Sequence, residues 1–265
     1  MHWADPIKPI LFWPLAAITI PHFLWAVRQE IYGIRAAMFS LVMLICVSIA
    51  AGFSLGSTWP GSWVIIFPSI YAIFYMIGST EFKSCTVVWQ RPWRLVGGIG
   101  LFLLTLIFTF RDVWLHLFDV SYGYDRVISE LSAIPDHIIT LLIVATAVLL
   151  FYDNIKRKNI TVALFGALPL LAIFGFFVHS YSLMLLLLIF NIYLLVLSIR
   201  HIAIGIRGNN IGTVNIGMLM LAILIMSRFF DSNIGFVMKG VAFIIIGIGF
   251  LTANAMLARR IRGVK

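Results

Sequence analysis

Five charged residues stand where charge is costly. Arg111 and Asp112 follow one long apolar run, Arg228 and Asp231 close another, and Lys239 lies about one turn into the last run. Ionisable side chains at membrane depth are expensive unless paired or solvated, so they are candidates for binding or ion-pairing chemistry. The bland alternative is an ion pair at a helix end, with the arginine reaching to the interface. Arg228 and Asp231 are three apart and share a face if the helix continues through them. All five lie near the ends of apolar runs rather than at their centres, which favours structural pairing over a ligand-facing site.

No other constellation competes with this cluster. Catalysis needs a nucleophile, acid, base or metal held in mutual reach, and no such grouping is visible. His116, His137 and His179 lie near Asp119 and Asp136, yet no HxH, HxxxH or HExxH spacing joins them. The two cysteines, Cys46 and Cys85, offer neither a disulfide framework nor paired ligand spacing. The expectation is a non-enzymatic protein with no cofactor and no metal.

The elements that would position the charged cluster are apolar throughout. Of 265 residues, 62% are hydrophobic and 11% charged, with a mean hydropathy of +1.06. One water-soluble core cannot hide that much apolar side chain, since soluble chains average roughly 45–50% apolar and 25% charged. Eight runs approach the ~17–25 residues that cross a bilayer as a helix. They are Ala36 to Leu55, Trp63 to Ile77, Leu95 to Phe110, Ile138 to Phe151, Ile160 to Val178, Ser182 to Ser198, Ile211 to Ser227 and Ile234 to Ala253. They lack the alternation of barrel strands, so the expected fold is an all-α transmembrane helix bundle.

The amino-terminal segment, residues 1–35, is read separately from the bundle, residues 36–265. Pro9 to Val27 is apolar on every side and contains Pro14, Pro21 and His22. It shows neither the small-residue cleavage site of a signal peptide nor the charged face of an interfacial helix. A kinked ninth crossing is favoured over an interfacial helix. Between the third and fourth runs, Asp125 to Ala133 is expected to form a short surface helix ending before Pro135.

Orientation follows from the basic residues. If the segment before the first of the eight runs is cytoplasmic, fourteen Lys and Arg fall on the cytoplasmic side, Lys156, Arg157, Lys158 and the carboxy-terminal Arg259, Arg260 and Arg262 among them. Only Arg111, Arg126, Arg228 and Lys239 fall outside, beside six acidic residues. Positive residues resist translocation, so the carboxy terminus is expected in the cytoplasm. The net charge of +9 is then a topology signal with some attraction to anionic lipid. No basic polar domain exists to bind nucleic acid.

Five of the eight tryptophans, Trp59, Trp63, Trp89, Trp93 and Trp114, sit at expected crossing ends, where interfacial anchoring accounts for them. Gly52-x-x-x-Gly56 and Gly208-x-x-x-Gly212 have close-packing spacing, with Gly240, Gly247 and Gly249 as further candidates, and Asn191, Asn215 and Asn254 are candidates for bonds between helices. The chain also contains echoes of itself. Gly52-Phe53 matches Gly175-Phe176, Ser69-Ile-Tyr71 matches Asn191-Ile-Tyr193, and Gly100 and Gly217 each precede an arginine by eleven residues. These suggest a parallel four-plus-four duplication, with halves 36–158 and 159–265.

The stretch Ser227-Arg-Phe-Phe-Asp-Ser-Asn-Ile-Gly-Phe, the run from Lys239-Gly-Val-Ala-Phe and the tail Ala258-Arg-Arg-Ile-Arg resemble the carboxy-terminal signature of the DUF2157-like bacterial membrane proteins. Trp59-Pro60 and Arg91-Pro-Trp-Arg-Leu-Val-Gly-Gly are also similar to that group. The resemblance covers most of the chain from about Ala36. It implies a multi-pass protein of the bacterial inner membrane and carries over no catalytic residues. The functional expectation is an accessory or scaffold subunit in contact with lipid and with another integral membrane protein. A small-molecule or lipid transporter, or a binding bundle with an outward polar cavity, is the alternative.

Overall fold

The computed structural model describes residues 34–55, 61–80, 91–117, 134–178 and 182–231, with helical positions at 21, 240–241, 244, 247–252 and 255. Among the described residues the fold is all-helical and contains no strand. The elements are α1 (Ile34–Leu55), α2 (Trp63–Thr80), α3 (Pro92–Phe108), α4 (Arg111–Leu117), α5 (Ile134–Lys156), α6 (Ile160–Gly166), α7 (Leu168–Val178), α8 (Leu183–Arg207) and α9 (Ile211–Asp231). Among the described residues, five stretches are long and apolar enough to cross a membrane: Trp63–Thr80, His137–Lys156, Ile160–Val178, Leu183–Arg207 and Ile211–Phe229. Ala37–Gly52 and Pro92–Phe108 are shorter apolar helices. Pro9 to Val27 as a segment, Asp125 to Ala133, and most of the run Ile234 to Ala253 lie outside the described residues.

The chain forms two compact units, Met1–Leu183 and Met184–Lys265. In the first, α2 is the central helix and touches α1, α3, α5, α6 and α7. Its core gathers Leu44, Ala51, Ile66, Ile70, Phe74 and Trp93, with Phe74 edge-on to Trp93 at a centroid distance of 5.4 Å. Lipid gives helices no hydrophobic drive to associate, so close backbone approach must do that work. It does so between α2 and α3. A Cβ on Gly97 would stand 2.8 Å from the Tyr71 carbonyl oxygen, one on Gly78 would stand 2.7 Å from the Trp93 carbonyl carbon, and one on Gly100 would enter the Tyr71 ring. In the second unit Gly205 and Gly217 bring α8 and α9 together, against Val214 and Ile202 respectively.

Among the described residues the tight glycines are thus not Gly52, Gly208 or Gly212 of the expected spacing motifs, and Gly56 lies outside the described residues. Gly52 meets only the tip of the Phe67 ring, at 3.3 Å, and Gly240, Gly247 and Gly249 have nothing within 4 Å among the described residues. Gly208 and Gly212 lie at the turn between α8 and α9, where each would meet only a local oxygen at 3.3 Å.

Several polar side chains inside the helices are satisfied locally. Ser48, Ser69, Thr105, Thr146 and Ser198 each donate to the carbonyl oxygen four residues earlier, at 2.7–2.8 Å. Asn191, expected to bond between helices, donates instead to Leu187 O of its own helix at 2.7 Å. A polar group surrounded by apolar neighbours needs a partner, and the preceding turn supplies the nearest acceptor.

The run Ile160 to Val178 is split into α6 and α7 at Ala167. Pro169 lacks the N–H that would bond one turn back, which explains the break. Two further connections share one geometry. After α5, Lys158 adopts φ 56°, with Lys158 N bonded to Ile155 O and Asn159 N to Asn154 O, both at 2.9 Å. After α8, Asn209 adopts φ 48°, with Asn209 N bonded to Ile206 O at 3.4 Å and Asn210 N to Gly205 O at 2.9 Å. Each is a left-handed cap that satisfies the last helical carbonyls. The sequences Ile155-Lys-Arg-Lys-Asn-Ile160 and Ile206-Arg-Gly-Asn-Asn-Ile211 carry the shared pattern.

Candidate functional site

The residues singled out from sequence fall into two local settings. Arg111 and Asp112 open the short helix α4, and both are exposed. Phe108 ends α3, so Arg111 begins a new element after a turn. Arg228 is half-buried in the last turn of α9. Asp231 is the final residue of that helix; its side chain and Lys239 lie outside the described residues. His116 and His137 are exposed, and His179 lies outside the description. Among the described residues no three His, Cys, Asp or Glu side chains gather as a metal site.

The turn that precedes Arg111 is built around Trp114. Its indole N–H donates to the Phe108 carbonyl oxygen at 2.8 Å, and the two rings lie 5.4 Å apart. Both residues are fully buried. Thr109 Oγ1 donates to Leu106 O at 2.6 Å alongside it. Trp114 therefore closes the carboxy end of α3 instead of anchoring at the lipid interface. Trp93 is likewise buried in the core, and Trp63 is half-buried with its ring 6.0 Å from that of Phe108. Trp59 and Trp89 lie outside the described residues. Amphipathic rings suit an interface, but a ring that fills a helix junction and satisfies a terminal carbonyl is held more firmly inside the protein.

A second polar grouping sits at the opposite end of α3 and was not foreseen from sequence. Tyr75 on α2 is 4% exposed, its ring 4.9 Å from that of Phe165 on α6. Its hydroxyl faces the Arg94 guanidinium and the Ser79 side chain. Ser79, one turn after Tyr75, is 8% exposed, and its hydroxyl lies against that of Tyr75. Arg94 itself is exposed. The α2–α3 hairpin brings these residues together through the glycine contacts of Gly78 and Gly97, which press the end of α2 onto the first turn of α3. No sequence signal marks the site, because the pairing of Tyr71, Tyr75 and Gly78 with Gly100, Gly97 and Arg94 is set by the hairpin register.

A third group of charges marks the end of α5. Arg157 pairs with Asp153 at 2.7 Å, both well exposed, a geometry worth about 0–1 kcal/mol. Lys156 Nζ stands 4.6 Å from the Tyr152 ring centroid, within cation–π reach.

Compared with protein-family models, curated proteins and solved structures, the chain matches none.

Proposed function

We propose that the protein is a non-enzymatic, multi-pass component of the bacterial inner membrane, an accessory or scaffold subunit that seats lipid and another integral membrane protein. The observation that carries this reading is the apolar exposure of its longest helices. On α5, Leu141, Leu142 and Leu149 are more than 60% exposed, and on α8 Met184, Leu188, Ile192 and Ile199 form a stripe opposite the buried Leu186, Phe190, Leu194 and Leu197. A helix apolar on both faces belongs in lipid or against another membrane protein.

The eight crossings, the ninth at Pro9 to Val27 and a cytoplasmic carboxy terminus belong to the same proposal, supported by run length and by the distribution of basic residues. So does membership of the DUF2157-like group, supported by the residues around Ser227–Phe236 and Arg91–Gly98. The parallel duplication has one supporting contact in each unit. Gly100 meets Tyr71 on the preceding long helix, and Gly217 meets Ile202 on the one before it.

Transport or ligand binding through an outward polar cavity is the second reading, favoured by the half-burial of Arg228 at a helix end. Purification in mild detergent separates the two. The scaffold reading expects an integral membrane protein to remain bound in fixed ratio through size exclusion. A bound small molecule or lipid that is lost on Arg228→Ala, with no protein partner, would move the assignment to transport. Recovery of the chain in the soluble fraction after membranes are pelleted would overturn both.

A further inference from the structure

We propose that the exposed side of α5 seats an anionic phospholipid, with its phosphate against Lys156 and Lys158 and an acyl chain along the helix. The inference rests on the proposed membrane setting of this helix and names the lipid it takes there. At about 100° per residue, Ile138, Leu141, Ala145, Leu149, Tyr152 and Lys156 fall within about 80° of one another around α5, and all six are exposed. Thr140, Ala147 and Asn154, on the opposite side, are buried. One continuous stripe thus runs from apolar side chains through an aromatic ring to a cation. From Leu141 to Tyr152 it rises about 16 Å at about 1.5 Å per residue, close to half of the ~30 Å hydrocarbon core. That is the depth of one leaflet.

The charged end of the stripe decides which lipid fits. Lys156 Nζ stands 4.6 Å from the centroid of the Tyr152 ring, within cation–π reach. Tyrosine suits the headgroup level of a bilayer, so the ring holds the ammonium where a lipid presents its phosphate. Asp153, the carboxylate of the same turn, is paired with Arg157 at 2.7 Å, which leaves Lys156 and Lys158 as the net charge of residues 153–158. The cap that follows keeps both lysines on one ordered turn, with Lys158 N donating to Ile155 O and Asn159 N to Asn154 O, both at 2.9 Å. The related cap after α8 carries Arg207, Gly208 and Asn209, one cation where α5 has three. A lysine binds phosphate as a point charge and needs no fixed fork geometry. A phosphatidylcholine headgroup brings a cation of its own against these lysines, whereas phosphatidylglycerol brings the phosphate charge alone. Anionic lipid belongs to the cytoplasmic leaflet, to which the proposed topology assigns this end of α5.

The test counts lipid bound to the purified full-length protein in uncharged detergent by native mass spectrometry, with phosphatidylglycerol or phosphatidylcholine titrated over the same range. Wild type is expected to hold phosphatidylglycerol about tenfold or more tightly than phosphatidylcholine, each lysine near the headgroup contributing roughly fivefold. Lys156→Gln should lower that preference about fivefold, and Lys156→Gln combined with Lys158→Gln should abolish it. Lys156→Arg should keep it. Tyr152→Leu retains apolar bulk but loses the ring, and should weaken phosphatidylglycerol about two- to threefold. Arg207→Gln should bind both lipids as wild type does. Equal binding of the two lipids by wild type would overturn the proposal. So would a loss in Arg207→Gln equal to that in Lys156→Gln, because the preference would then follow total charge and not this seat. A co-purified membrane protein that crosslinks to a photoreactive side chain at position 149, with no lipid preference in wild type, would overturn the lipid seat and leave the scaffold reading standing. Recovery of the chain in the soluble fraction would overturn the membrane setting itself.

Discussion

Trp114 donates its indole N–H to the carbonyl oxygen of Phe108 across the end of α3. One side chain thus completes a helix terminus, fills the junction with α4 and positions the chain that carries Arg111 and Asp112. Trp114→Phe keeps the ring and removes the donor. Leaving a buried acceptor without its partner costs about 1–3 kcal/mol, so melting in detergent should fall by a few degrees. Trp114→Ala should cost more, on the order of 3–5 kcal/mol, because a buried cavity is added. Unchanged melting for both would mean that the junction contributes nothing to stability.

The α2–α3 interface depends on the absence of a side chain at Gly97. A methyl group there would press on the Tyr71 carbonyl and the Tyr75 Cα, both 2.8 Å away and both backbone. Backbone cannot rotate aside, so Gly97→Ala should force the helices apart and destabilise by about 1–3 kcal/mol or more. Gly249→Ala, a helical position where nothing lies within 4 Å among the described residues, should melt no lower than wild type, since alanine is favoured over glycine inside a helix. Circular-dichroism melts of the two variants in one detergent check the contrast.

The left-handed cap at Lys158 gives a prediction of opposite sign. Its φ of 56° is unfavourable for a residue with a Cβ, by roughly 1–2 kcal/mol. Lys158→Gly should therefore raise stability by up to about 1 kcal/mol, the flexibility of glycine in the unfolded chain offsetting part of the gain. A lower melting temperature would mean that the Lys158 side chain contributes more than its backbone conformation costs.

The long helices were legible from sequence because lipid imposes a simple condition, an apolar run with its backbone satisfied internally. The break at Ala167 has a sequence counterpart in Pro169, two residues on, which cannot donate to the turn before it. Helix contacts were much less so. Gly97 looks like any of the 20 glycines, and Gly100 is marked only by its spacing to Arg111, until Tyr71 and Tyr75 are placed opposite them. The Trp114 position was misread for a related reason: a tryptophan after an apolar run suits the interface equally well, and only the end of α3 at Phe108 turns it inward. The Tyr75, Ser79 and Arg94 grouping was hidden because two of its members lie within or beside an apolar run and the third belongs to the next helix. The hairpin joins them, and sequence spacing does not reveal its register.

Arg228 and Asp231 remain the natural test of the charged cluster expected at the outer ends. Arg228→Ala should lower melting by an amount between the ~0–1 kcal/mol of an exposed pair and the ~3–5 kcal/mol of a buried one, given the half-burial of Arg228. Asp231→Asn should do less, since an amide oxygen still accepts a hydrogen bond. Normal melting with loss of a bound ligand would show instead that the pair recognises something.

The central claim is a multi-pass membrane protein whose basic connections face the cytoplasm, and single-cysteine labelling in intact cells tests it most directly. With Cys46 and Cys85 replaced by serine, Arg157→Cys and Asp125→Cys are each exposed to a membrane-impermeant maleimide. The account predicts labelling at position 125 in intact cells and at position 157 only after permeabilisation. Labelling at 157 but not at 125 in intact cells would contradict it.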